Sequence, residues 1–150
     1  MTQQIDPAAP DLKATGDAIT PPDPILIHYE IWKTATLLWE ALYELPENAS
    51  GETPQMESAW NTRMAAWGAT ASGAAVSVAG IAAQAHVNFR ENCLKNAVGT
   101  PGWFENAEFH ENRLTLAIWK GASDLAGLEL PKPYHDLAER VLDDDSSFAN

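Results

Sequence analysis

An all-α fold, an antiparallel bundle of four to five helices with flexible N- and C-terminal tails, is predicted by three observations. Apolar residues recur at helical spacing along the middle of the chain, and no stretch alternates with a period of two. Twice, at Asp23-Pro24 and Thr53-Pro54, an N-cap residue followed by proline opens such a stretch. Six tryptophans occur in 150 residues, and four of them form pairs seven apart, Trp32 with Trp39 and Trp60 with Trp67. Seven residues is two helical turns less about twenty degrees, so each pair lies along one helix face. Residues 65–85 are almost all small. Aromatic teeth against a smooth helix predict packing by size complementarity.

Residues 1–22, with four prolines and little apolar periodicity, are expected as a disordered arm. The bundle domain then spans 23–142. Its first helix starts at the Asp23 cap and runs to about residue 45, before Pro46. Its stripe is Ile25, His28, Trp32, Ala35, Trp39 and Leu42, widened by Ile31 and Leu38. After a turn-rich linker, Thr53 caps a second helix with Met56, Trp60, Met64 and Trp67 on its face. Residues 68–77 read as either helix or bend; a break near Ser72-Gly73 with Ser77 as the next cap is favoured. The third helix runs from 78 to about 97, with Gly99 past its end.

Residues 99–104, Gly-Thr-Pro-Gly-Trp-Phe, read as a loop. Asn106 then caps a fourth helix, 107 to about 126, with His110, Leu114, Ala117, Ile118, Gly121, Leu125 and Leu128 on its inner face. Pro131-Lys132-Pro133 breaks the chain, and a short fifth helix over 134–142 buries Tyr134, Leu137, Ala138 and Val141. Residues 143–150 form an acidic tail.

The bulk properties exclude several function classes. The net charge is −12. Residues 1–24 hold four Asp against one Lys, and residues 136–150 hold five acids against Arg140, so much of the acidity sits at the ends. No basic cluster exists to displace counterions, which disfavours nucleic-acid binding. Acidic faces acting as a nucleic-acid mimic would need Glu30, Glu40, Glu44, Glu47 and Glu57 on one surface. Residues 64–89 carry no Asp, Glu, Lys or Arg, but their Gln, His, Asn, Thr, Ser and Gly content argues for a buried segment and against a membrane span. Cys93 is the one cysteine and reads as a small core residue. The first residues lack the basic and apolar regions of a secretory signal, so a cytoplasmic location is expected.

The Asp23-Pro24-Ile25 opening and the Val76-Ser-Val-Ala-Gly-Ile81 stretch resemble a group of short helical proteins of unassigned function from alphaproteobacterial genomes and their prophages. The resemblance covers about a third of the chain. It implies a helical fold, a mobile-element origin and no particular activity. The many tryptophans and the less charged middle helix depart from that pattern.

No motif names a reaction. Glycine loops for phosphate or dinucleotide, a Gly-x-Ser-x-Gly elbow and the His-Glu-x-x-His zinc motif are all missing. Glu108 and Glu111 beside His110 suit the first turn of a helix better than acid–base work. His28, His86 and His110 offer at most an improvised three-ligand metal set across a bundle, so no metal or cofactor is expected. Trp103 and Phe104, in a Gly-Pro-Gly loop, read as interaction anchors. The expected function is a non-catalytic acidic module that binds a protein partner or itself. The alternative is a small-molecule or metal pocket lined by Trp32, Trp39 and Trp60 with His28 and His110 as its polar groups.

Overall fold

A computed structural model describes residues 22–93, 96 and 98–143. The fold is all-α. Among the described residues six helices follow one another: α1 (Pro24–Tyr43), α2 (Pro54–Ser72), α3 (Val78–Asn88), α4 (Pro101–Glu108), α5 (His110–Ala126) and α6 (Lys132–Leu142). A short 3₁₀ turn, Pro46–Asn48, follows α1, and a π-helical turn, Phe89–Cys93, continues α3. The expected arm and acidic tail lie outside the described residues, apart from Pro22 and Asp143. No described helix is long and apolar enough to cross a membrane.

The helix starts are chemical. The Asp23 carboxylate accepts from the Ile25 N–H at 3.0 Å, capping α1. Its other oxygen accepts from the Ser77 hydroxyl at 2.7 Å and the Val76 N–H at 3.0 Å. Ser77 in turn accepts from the Gly80 N–H, capping α3. One carboxylate thus ties the starts of α1 and α3 together. The Ser77 hydrogen bond, opposed by burial and supported by backbone N–H groups, holds the Asp23 carboxyl below the usual range. Thr53 caps α2 through the Met56 N–H.

Contacts along the helices give their directions. The starts of α1 and α3 meet at Asp23 and Ser77, and their later turns meet where Arg90 pairs with Glu40. Helices α1 and α3 therefore run parallel. Arg63 of α2 reaches Glu91 while the Thr70 carbonyl accepts from Gln84, so α2 opposes α3. On the other side of α3, Trp119 meets His86 and Asn112 reaches the Cys93 carbonyl, so α5 also opposes α3. Phe89, Trp103, Leu116, Trp119, Tyr134 and Leu137 centre the main core, and Cys93 is buried among them.

Two inner faces differ from the sequence expectation. On α2 the buried residues are Met56, Ala59, Arg63, Ala66 and Thr70, alternately three and four apart. This small-residue seam lets α2 approach its neighbours closely, and Trp60 and Trp67 stand beside it. On α5 the buried residues are Leu116, Trp119, Ala122 and Ser123, and the expected inner stripe faces outward. Trp119 decides the register, because burying a large aromatic ring removes more apolar surface than burying one aliphatic chain.

Three boundaries also move. Regular α geometry in α3 ends at Asn88 and passes into the π turn. The expected loop at 99–104 is largely helical, since Pro101 opens α4 after Thr100. Asn106 lies inside α4, so it does not cap the next helix; α5 begins after an extended Phe109.

Gly80 is small for a local reason. A Cβ there would fall on the Asp23 carboxylate and within 3.1 Å of the Ala75 methyl. Gly80→Ala is expected to lower stability by about 1–3 kcal/mol by displacing the shared cap. An unchanged urea midpoint would show that Asp23 does not occupy that space.

Candidate functional site

A nearly sealed ion pair joins α2 to the π turn. Arg63 donates to both oxygens of Glu91, at 2.7 and 2.8 Å through Nη2 and 3.1 Å through Nε. Their side chains are only 9% and 8% exposed. The Trp32 indole N–H adds a bond to the same carboxylate at 2.8 Å. The Arg63 guanidinium lies 5.5 Å from the Trp39 ring centre and 5.1 Å from that of Trp60. These two rings, 5.4 Å apart, cover a cation.

Beside this pair stands an aromatic cluster centred on His86. Its ring stacks on Trp119 at 4.1 Å and 8°, and meets Trp32 and Tyr134 edge-on at 5.3 and 5.6 Å. Burial first, then the charges of Arg90 and Lys33, push the His86 pKa down to about 3. Burial, then nearby Glu30 and Tyr134, pushes Tyr29 up to about 12. At neutral pH both are uncharged. The Tyr29 hydroxyl lies 2.7 Å from His86 Nδ1. Phenol is the stronger acid, so Tyr29 donates and the imidazole proton sits on Nε2.

The residues singled out from sequence are dispersed. His28 is half-buried in α1, and His110 opens α5 exposed, with α3 between those helices. His110 borders a polar cleft with Asn92, Asn106 and Glu111. Trp39 and Trp60 come together over Arg63, while Trp32 turns toward His86. Trp103 is buried rather than at a loop tip, and its indole N–H finds no partner among the described residues. Phe104 is half-buried beneath the Arg140 guanidinium at 4.0 Å. His135, Asp136 and Glu139 hold three ligand atoms within 4.8 Å on one exposed turn of α6.

The sequence offers His86 two roles, a metal ligand or the commoner packed ring with one hydrogen bond, and the structure shows the packed ring. Its place in the charge-free run 64–89 was the signal for a buried, uncharged imidazole.

Among the described residues, apolar surface is open on α5 and between α1 and α2. On α5, Leu114, Ile118 and Leu125 face solvent, with Leu128 just beyond. Between α1 and α2, a groove of about 660 Å³ is lined by Ile31, Leu38, Leu42, Ala59 and the more polar Gln55 and Ser58.

Removing one member of a buried pair strands the other. Arg63→Leu is expected to cost about 3–5 kcal/mol, with Arg63→Leu/Glu91→Leu recovering much of it; an additive double variant in urea unfolding would show that the pair is not coupled. His86 gives a pH signature as well. Its folded pKa is depressed, so the unfolded chain takes up the proton first and stability declines as pH falls from about 6.5 toward 3. The decline from pH 6.5 to 5 is expected to be roughly 1–2 kcal/mol steeper than in His86→Gln. Equal slopes would mean that His86 titrates as in water.

Compared with family models, curated proteins and solved structures, the chain matches none.

Proposed function

We propose that this chain is a non-catalytic, self-associating interaction module, with the outer stripe of α5 as its contact face. The observation that carries the reading is the exposure of Leu114 (62%), Ile118 (46%) and Leu125 (81%) along one side of a single helix. Covering each such side chain contributes about 1–2 kcal/mol. The contact surface thus moves from Trp103 and Phe104, which pack inward, to α5.

The stripe is complementary to itself. In a two-fold antiparallel pair centred between residues 119 and 120, Leu114 lies across from Leu125 and Ile118 across from Gly121. Nothing stands within 4 Å of the position a Cβ would take at Gly121, which leaves room for the facing isoleucine. The charged residues of α5, Glu111, Arg113, Lys120 and Asp124, cancel, although the chain as a whole carries −12. The helix therefore adds no net charge to the repulsion between two copies. A cytoplasmic setting and a mobile-element origin belong to this proposal, the origin resting on the resemblance noted above.

Sedimentation velocity over a micromolar concentration series is expected to show a reversible dimer. Ile118→Glu should be monomeric with unchanged helicity. A wild type that stays monomeric, or a dimer abolished by Leu38→Glu in the α1–α2 groove and not by Ile118→Glu, would sink the assignment.

A further inference from the structure

A cavity of about 310 Å³ opens where α1, the π turn and the start of α6 converge. Trp32, Leu37, Pro131, Pro133 and Tyr134 supply apolar walls, and the His86 ring lies beside Trp32 and Tyr134. The size suits a small ligand.

Each wall ring has a polar atom already engaged. The Trp32 N–H is tied to Glu91, the Tyr134 hydroxyl accepts from Arg90 at 3.2 Å, and His86 Nδ1 is held by Tyr29. The walls are therefore fixed before any ligand arrives, which lowers the ordering cost of binding.

Thr36 is the exception. It borders the same cavity, is only 6% exposed, and its hydroxyl has no hydrogen-bond partner among the described residues. A buried hydroxyl without a partner carries an unpaid desolvation cost. Threonine in a helix has two accessible rotamers, so the hydroxyl can turn toward a group placed in the cavity.

The guanidinium selects the kind of group. At the cavity Lys33 pairs with Glu30 at 2.8 Å and Arg90 pairs with Glu40. Arg90 gives one N–H to Tyr134 and pairs with Glu40, leaving further donors of its five. A planar guanidinium with donors to spare beside flat apolar walls fits a planar carboxylate.

We propose that this cavity binds a small aromatic carboxylate, with its ring against Trp32, Tyr134 and the prolines and its carboxylate at Arg90 and the Thr36 hydroxyl. The site is independent of the α5 stripe and does not need the dimer.

The test uses the full chain and two probes, benzoate and its neutral analogue benzamide, followed by calorimetry and by NMR shifts of the indole N–H groups. Benzoate is expected to bind with a sub-millimolar Kd, at least tenfold tighter than benzamide, and to shift the Trp32 signal. Thr36→Val should weaken benzoate roughly tenfold to a hundredfold, the worth of one hydrogen bond to a charged acceptor, while Thr36→Ser keeps most of the affinity. Without ligand, Thr36→Val should raise Tm by roughly 2–6 °C, because it removes an unsatisfied group. That opposite pair of effects separates a binding role from a structural one. No saturable benzoate binding, equal binding of benzamide, or a Thr36→Val variant that binds like wild type or melts lower would each overturn the proposal.

Discussion

The Glu91 carboxylate is the point on which the helix arrangement depends. It sits in the π turn that ends α3, accepts three hydrogen bonds from Arg63 of α2 and one from Trp32 of α1, and is nearly sealed from water. A charge so placed is costly unless its partners are all present and well aimed. Three helices therefore have to meet at one height. The wide π turn suits this, because it changes the direction of successive side chains relative to regular α geometry. Glu91 thereby reaches α1 and α2 while the adjacent Arg90 reaches Glu40 and Tyr134. Once α1 and α3 are fixed in this register and at the Asp23 cap, Tyr29 falls opposite His86 and the cavity takes shape between them and α6.

What could be read from the sequence was local, and what could not was a choice between faces. Caps at Asp23, Thr53 and Ser77 are decided within three residues, and each is where its residue type indicates. Thr100-Pro101 carries the same signal as Thr53-Pro54, yet the glycines around it made a loop look better than α4. The α2 face was missed because periodicity weighs apolar size, and the seam there is alanine, threonine and a paired arginine. Nothing in a single sequence says that an arginine will be buried by a glutamate 28 residues later. The tryptophan pairs were correctly placed on helices, but Trp39 and Trp60 shield that arginine and Trp32 bonds its partner.

Helix α5 shows the same ambiguity with a functional consequence. It has apolar residues on two sides, Leu116 and Trp119 on one, Leu114, Ile118 and Leu125 on the other. Sequence reading chose the more aliphatic side as the core. The bundle takes the side with Trp119, whose stacking on His86 completes the aromatic cluster. A helix with apolar residues on two sides belongs between two neighbours. Helix α3 supplies one, and the other side of α5 stays open among the described residues.

The two open features share an electrostatic property that the total charge conceals. Much of the acidity lies in the first 24 and last 15 residues. At physiological salt, exposed charges are screened beyond about 8 Å, so a contact responds mainly to the charges beside it. Beside the α5 stripe those charges cancel, and at the cavity Lys33 and Arg90 are balanced by Glu30 and Glu40. An acidic chain that spreads its field evenly would repel both a second copy and a carboxylate. This one interrupts that field at the exposed aliphatic stripe and again at the cavity bordered by the unsatisfied hydroxyl, and that coincidence of charge with unfinished packing gives both surfaces their chemical character.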